Sequence, residues 1–303
     1  MAVLISGANG FLGRHLLDRL VADGREIIAV ARCPAPLRFE SHPCVRWIVR
    51  DIARDGFDPA GLPSINAVVH LAGATLGAGN DEDMFLQANE TTTVRLCQAL
   101  SERTDRFIFA SSQVVYGDVR HIGVTEEFPL RPNGSAYACS KLNSENWLRW
   151  FQKRHGGSYL ALRFCGFTDG GGLVDYLIER ALSGEVIELF ARGGVRRDYL
   201  PSAEAVDVLA TALDCASEPG FLPVNIGSGQ AVSALELARL VCAEVGTSSR
   251  IELLAHPSPQ GDFVFCIDRA RRILGFNPGC LADAVRLYAR HRKTQPRVND
   301  AKS

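Results

Sequence analysis

The chain has 303 residues, with 33 Lys and Arg against 34 Asp and Glu for a formal net charge of −1. That length suits a large domain with a smaller companion, and the balanced charge excludes the basic footprint of a nucleic-acid binder, the longest basic run being Arg290-His291-Arg292-Lys293. Nine scattered cysteines without a C-x-x-C pair argue against a disulfide framework and a zinc site, no apolar run approaches a membrane span, and residues 2–5 are too few for a secretory signal, so the expectation is a cytoplasmic protein with a small-molecule partner, no nucleic acid, no membrane and no metal.

The first predicted strand, 2–6, runs into Gly7-Ala8-Asn9-Gly10-Phe11-Leu12-Gly13 and then a helix over 11–22. Glycine lets the backbone turn sharply after a strand and approach a pyrophosphate, while the opening helix offers unpaired N–H groups and the positive end of its dipole. Gly7, Asn9, Gly10, Phe11, Leu12 and Gly13 are therefore candidate dinucleotide contacts. The next strand, 26–31, ends where a carboxylate would bond the adenosine ribose of NAD; here stand Ala31 and Arg32, and a cation at that place suits the 2′-phosphate of NADP. NADP(H) is favoured and NAD(H) remains possible, with Arg38 a second candidate for the same role.

Further strands are predicted over 45–49, 66–71, 106–111 and 159–164, with long helices over 82–101 and 135–155. This alternation predicts an α/β chain built on a Rossmann-like, doubly wound parallel sheet. Ser111 and Ser112 stand at the C-terminal end of strand 106–111, the end where ligands bind in open α/β sheets. In Ser135-Ala136-Tyr137-Ala138-Cys139-Ser140-Lys141, Tyr137 and Lys141 share one helix face. A neighbouring ammonium stabilises phenolate, so Lys141 is expected to lower the Tyr137 pKa and make a usable acid or base. His15 and His70 read as packing or backbone-bonding residues. Beyond Cys165 come a glycine-rich loop over 166–172, a helix over 173–183, a polar stretch over 192–201, a helix over 202–216, a strand over 223–226 and a helix over 233–245. Strand 250–254 and helices 268–274 and 281–291 follow, and the last dozen residues read as a solvated tail.

Taken together, these segments resemble the extended short-chain dehydrogenase/reductase family, in its nucleotide-sugar epimerase, dehydratase and reductase branch. The resemblance is carried by Gly7, Gly10 and Gly13; Asp51-Ile52; His70-Leu71-Ala72-Gly73; Asn89; the Ser-Ser-x-x-x-Tyr-Gly segment ending at Gly117; and Tyr137 with Lys141. It continues through Arg197-Asp198-Tyr199 with Glu204, Val224-Asn225-Ile226-Gly227-Ser228-Gly229, Gly261-Asp262, Asp268, Leu274-Gly275 and Pro278. It implies a catalytic acid/base at Tyr137, a ribose-holding Lys141, a Ser112 hydroxyl on the substrate oxygen, Asp51, Ile52, Leu71, Ala72 and Gly73 on the cofactor, a bracing Asn89, and Arg197 on a substrate diphosphate. Gln113 adjoins Ser112 as a further candidate substrate contact. Alternatively, Arg197 and Asp198 are a surface pair.

Departures from the family pattern narrow the chemistry. Gln113 and Val114 replace the titratable residues that dehydration needs at neighbouring carbons. Cys165-Gly166 stand where an asparagine is common, and Pro259 where an arginine is usual. The leading expectation is NADPH-dependent reduction of a keto group on a nucleotide-linked 4-keto-6-deoxy sugar. The alternatives are an NAD-dependent nucleotide-sugar 4-epimerase, a reductase of a non-sugar ketone, and a non-catalytic dinucleotide sensor, against which the retained Ser112, Tyr137 and Lys141 argue. The expected division is a dinucleotide-binding domain over 1–165 and about 202–245, with a smaller α+β substrate-binding domain over 166–201 and 246–303. The family also implies a homodimer through helices 82–101 and 135–155.

Overall fold

A computed structural model of the protein describes residues 2–75, 81–132, 134–216, 218–258 and 260–295. Pro259 and part of the 73–83 loop lie outside the described residues. The first half contains β1 (Ala2–Ser6), α1 (Phe11–Ala22), β2 (Ile27–Ala31), β3 (Val45–Val49), α2 (Ile52–Asp55), β4 (Ile65–His70), α3 (Glu82–Phe85), α4 (Thr92–Leu100), β5 (Arg106–Ser112), β6 (His121–Val124), α5 (Ala136–His155) and β7 (Ser158–Phe164). The second half contains β8 (Gly166–Phe167), α6 (Leu173–Ser183), β9 (Ile187–Leu189), β10 (Arg196–Arg197), β11 (Tyr199–Leu200), α7 (Ser202–Asp214), β12 (Gly220–Ile226), β13 (Val232–Ser233), α8 (Ala234–Val245), β14 (Ile251–Leu253), β15 (Phe263–Phe265), α9 (Asp268–Leu274) and α10 (Leu281–Thr294).

Seven strands form one parallel sheet in the order β12-β7-β5-β4-β1-β2-β3. Covered on both faces, they read as nearly continuous apolar runs, and the pleat divides each run between two cores. Val3 and Ile5 join Leu16, Leu17 and Leu209 on one face, whereas Leu4, Ile28 and Val30 meet Leu96, Leu148 and Phe151 on the other. The strand order reverses between β1 and β4, which opens a crevice at their C-terminal ends. A third core joins α6, α8 and α10 through Leu177, Ile178, Val241 and Val285.

Several elements differ from the sequence expectation. The helix expected over 82–101 is broken by a wide π-helical turn, Leu86–Thr91, between α3 and α4. The Thr92 hydroxyl donates to the Gln87 carbonyl (3.1 Å) across that turn. Within the expected glycine-rich loop, Gly166–Phe167 pairs with Tyr199–Leu200, and the polar stretch 192–201 supplies β10 and β11. Strands β6, β9 and β15 were not anticipated; at three or four residues each they are too short for an alternating pattern to declare itself. The small sheet β13-β10-β15-β6 stands beside the large one.

Candidate active site

The glycine turn is built by exclusion of side chains. Gly7 has φ +73°, and a Cβ there would lie 2.5 Å from the Ala72 nitrogen; a Cβ on Gly13 would lie 2.2 Å from the Gly7 carbonyl oxygen. The first turn of α1 thereby packs directly on the turn that follows β1, and that turn packs on the segment that follows β4. Gly10, preceding α1, gives no side-chain cap, and that first turn carries no acidic residue, so its N–H groups face outward at the positive end of the dipole. A cavity of about 390 Å3 opens there, and Gly7, Asn9, Gly10, Arg32, Asp51, Ile52, Leu71, Ala72 and Gly73 all line it. Its size and its glycine-lined, uncapped floor fit a dinucleotide with the pyrophosphate on the α1 N-terminus.

At the far end of this cavity Arg32 is exposed and, among the described residues, meets no carboxylate. The Asn9 amide donates to the Cys33 sulfur (2.8 Å), tying the glycine turn to the end of β2. The Asp51 carboxylate accepts from the Arg54 backbone N–H (3.1 Å), capping α2. Arg38, the other candidate for a 2′-phosphate, makes a two-pronged contact with Asp18, 3.0 Å for each bond, and does not line the cavity. Of the remaining predicted cofactor contacts, Phe11 packs its ring on Phe167, Leu12 packs against the core, and Gly13 is buried. Cys33, Arg50, Met84, Gln87, Ala88 and Thr92 also line the cavity and were missed by sequence reasoning; the π-helical turn that carries Gln87 and Ala88 and leads into Thr92 has no local signature.

Gly73 joins this cavity to the residues expected to carry the chemistry. A Cβ on it would lie 2.7 Å from Asn89 Oδ1 and 3.6 Å from Lys141 Nζ. Asn89 is buried and fully engaged: Oδ1 accepts from the Ala74 N–H (2.7 Å), and Nδ2 donates to Ser140 Oγ (2.7 Å) on α5. It braces the loop after β4 against the helix that carries Tyr137, and it does not line the cavity. His70, fully buried, bonds Ser6 Oγ (2.7 Å) and Thr93 Oγ1 (2.8 Å). Because Thr93 gives its proton to the Asn89 carbonyl (2.7 Å), it accepts from His70 Nε2–H, leaving Nδ1 to accept from Ser6. Burial and the Lys141 charge hold the His70 pKa down at about 3, so the ring is a neutral strut.

Tyr137 is buried near Phe85, and its hydroxyl hydrogen-bonds the Ser112 side chain. Burial raises the phenol pKa and the Ser112 bond only partly offsets this, contrary to the expected lowering by Lys141. The reason is geometric: Lys141 Nζ donates to the Ala110 carbonyl (2.8 Å) and sits 4.8 Å over the Phe109 ring. Burial depresses the lysine itself to about 8, against the pull of Glu145.

Glu145 is the residue that sequence reasoning passed over. It continues the four-residue spacing of Tyr137 and Lys141 along one face of α5, and its carboxylate is completely buried. Arg163 on β7 grips it with two bonds, 3.0 Å and 2.7 Å, and Ser111 donates to it (2.5 Å). Arg163 also donates to the Tyr116 hydroxyl (2.8 Å), which donates to Asn225 Oδ1 (2.7 Å). The strand end bearing Ser112 is thus fastened to α5 and β12 by satisfied buried polar groups.

Gln113 is half-buried, and its Oε1 has no partner among the described residues. Arg197 lies outside the cavity, donating to the Gly261 carbonyl (3.1 Å) and covering the Phe263 ring. It forms no surface pair with Asp198, whose buried carboxylate accepts from Ser228 N–H (2.8 Å), Ser228 Oγ (2.7 Å), and the Gly229 and Phe265 N–H groups (3.2 Å each). Among the described residues no group of His, Cys, Asp or Glu is placed to hold a metal ion, and no helix is long and apolar enough to cross a membrane.

A parallel sheet with a side-chain-free turn at its switch point, beside a Ser–Tyr pair and a buried lysine, defines a dinucleotide-dependent oxidoreductase of the short-chain dehydrogenase/reductase type. Residues 3–227 match the NAD dependent epimerase/dehydratase family. The chain belongs to that family and is an NAD(P)-dependent enzyme. It is 26% identical over 309 residues to a UDP-glucose 4-epimerase of Streptococcus mutans, covering 92% of each chain. It is also 26% identical over 319 residues to a dTDP-4-dehydro-6-deoxy-D-allose reductase of a Streptomyces species, covering 96% of this chain and 97% of the relative. Among solved structures, MoeE5 in complex with UDP-glucuronic acid and NAD superposes with a TM-score of 0.81 at 27% identity, covering 96% of this chain and 99% of that one.

Proposed function

We propose that the protein reduces a keto group on a nucleotide-linked 4-keto-6-deoxy sugar at the expense of NADPH. The observation that carries this reading is Arg32, a cation on the cavity wall that meets no carboxylate among the described residues, where β2 ends without an acidic residue. The relationship to a dTDP-keto-sugar reductase supports the same substrate class. When bound, the nicotinamide supplies the reducing equivalents. In this reading Gly7, Asn9, Gly10, Phe11, Leu12, Gly13, Asp51, Ile52, Leu71, Ala72 and Gly73 form the cofactor's bed and Asn89 braces it. Tyr137 gives its proton to the developing alkoxide, Ser112 donates a second hydrogen bond to the same oxygen, and Lys141 supplies donors for the ribose. Gln113 and Arg197 contact the substrate.

Residues 1–165 with α7 and β12 hold the dinucleotide in this proposal, and the smaller unit holds the sugar nucleotide, with α8 joining it because α8 shares a core with α6 and α10. The outward Trp147 and Trp150 on α5, 41% and 47% exposed, support a homodimer through that face. Nine free cysteines support a reducing, cytoplasmic setting.

The test is loss of NADPH absorbance, compared with NADH, against a panel of dTDP- and UDP-linked 4-keto sugars. Turnover confined to NADPH and one nucleotide series is expected; none with either reductant would reject the proposal. A second reading, 4-epimerase, is favoured by the Streptococcus relative and by NAD in the MoeE5 complex. It predicts interconversion of UDP-glucose and UDP-galactose with no added reductant.

A further inference from the structure

The loop between β8 and α6 ends in three consecutive glycines, Gly170, Gly171 and Gly172, and its order comes from outside it. Gly171 and Gly172 have φ of +78° and +155°, and a Cβ on either would meet nothing within 4 Å, so the backbone conformation and not space demands glycine there. Such a run loses the most chain entropy on ordering and has no side chains of its own to pack. Neighbours hold it instead. The Asp169 carboxylate accepts from the Ser202 backbone N–H (2.9 Å) and hydroxyl (2.5 Å) at the start of α7. The Gly171 N–H donates to the Asp175 carboxylate (2.7 Å) in the first turn of α6.

Between these two anchors Gly170 lies on the dinucleotide turn. A Cβ on it would fall 3.1 Å from Phe167 Cβ and 3.3 Å and 3.5 Å from two atoms of the Phe11 ring. Phe11 is the first residue of α1, directly after Gly10, and its ring packs on that of Phe167 at 5.8 Å. The second anchor is itself fixed from α10. The other oxygen of Asp175 accepts from Arg292 (2.5 Å) and from the Tyr288 hydroxyl (2.6 Å), and Arg292 reaches on to Glu179 (3.3 Å). Both Arg292 and Asp175 are buried. A buried ion pair recovers little beyond its desolvation cost, and α10 is already fastened by Leu281 and Val285, which share an apolar core with Leu177 and Ile178 of α6. What the pair adds is direction: it holds the Asp175 carboxylate with its second oxygen toward the Gly171 N–H.

We propose that Arg292 on the C-terminal helix is a positioning residue for the dinucleotide: through Asp175 it sets the glycine loop against Phe11 and so steadies the first turn of α1 for a pyrophosphate. With the pair in place, the loop is ordered before the ligand arrives. Without it, three glycines return to a broad ensemble, and the cost of ordering them falls on binding. The inference needs a dinucleotide at the start of α1 and does not depend on which sugar is turned over.

The experiment is fluorescence titration of the full chain with NADPH and with NADH, joined to hydrogen–deuterium exchange of the backbone over 168–173, for the parent protein and for Arg292→Met, Arg292→Lys, Gly170→Ala and Val285→Ala. Arg292→Met is expected to weaken the better-bound dinucleotide about tenfold, the scale of one hydrogen bond, and to speed exchange over 170–172. Arg292→Lys, which keeps the charge, should recover part of both. Gly170 has no positive φ, so Gly170→Ala strains no backbone; its methyl group wedges the loop off Phe11 and should weaken the dinucleotide with the ion pair intact. Val285→Ala opens a cavity in the same core, and it should lower the urea midpoint while leaving affinity and loop exchange at the parent values. Parent-like affinity in Arg292→Met or in Gly170→Ala would overturn the proposal. So would a loss in Val285→Ala as large as that in Arg292→Met, which would assign the effect to stability alone.

Discussion

The two ends of the cleft are made of different materials. At the dinucleotide end the surface is mostly main chain, and its fit depends on atoms that are missing, since Gly7, Gly13 and Gly73 leave no room for a methyl group. At the chemical end side chains hold the elements in place: β5 and α5, which carry Ser112, Tyr137 and Lys141, are tied together and to β7 and β12 through Ser111, Glu145, Arg163, Tyr116 and Asn225. The first is fixed by sterics and should respond little to pH. The second is held by buried charges and hydrogen bonds, so its function is tied to protonation.

Substitutions that strike one end and spare the other sharpen this contrast. Tyr137→Phe keeps the packing against Phe85 but removes the proton, and turnover should fall by about 10^3-fold with dinucleotide affinity unchanged. Steady-state rates and fluorescence titration of one preparation check both halves of that statement. Glu145→Gln leaves Arg163 buried without its countercharge, which should cost about 3–5 kcal/mol of stability by urea titration. It also withdraws the anion that favours the Lys141 ammonium. The lysine, already at about 8, then loses its proton at lower pH, and the alkaline limb of the rate profile should move toward neutrality. The linkage runs the same way: with a folded pKa below its unfolded value, Lys141 adds stability as pH rises through and above about 8 and penalises the folded state at neutral pH. An alkaline limb that stays in place would remove Glu145 from the chemistry.

Gly13→Ala acts at the other end. Its methyl group would meet the Gly7 carbonyl oxygen, α1 must shift, and dinucleotide affinity should drop by roughly 100-fold while the Lys141 titration is untouched. The smallest effect is expected at the rim. Arg32→Asp should weaken NADPH about tenfold and spare NADH, as separate dissociation constants would show.

The same contrast explains how much was legible in the sequence. A backbone that cannot accept a Cβ forces glycine at fixed intervals, so Gly7, Gly10 and Gly13 announce the dinucleotide turn, and strands buried on both faces announce themselves as apolar runs. Tyr137 and Lys141 were visible because one helix face imposes a spacing, and extending it by four residues would have reached Glu145. The partners of Glu145 were not visible, because Ser111 and Arg163 meet it only when β5 and β7 are laid side by side under α5. The direction of the Tyr137 shift depended on where Lys141 points, which spacing does not encode. Asp175 and Arg292 are 117 positions apart and meet only when α6 and α10 share a core.

The most direct test of the account follows a label. NADPH carrying deuterium at the transferable position of its nicotinamide is turned over with a dTDP-linked 4-keto-6-deoxy sugar, and the product is read by NMR. The account predicts one deuterium on the reduced carbon, with none washed out into solvent. A reduced sugar with only solvent hydrogen at that carbon would contradict it.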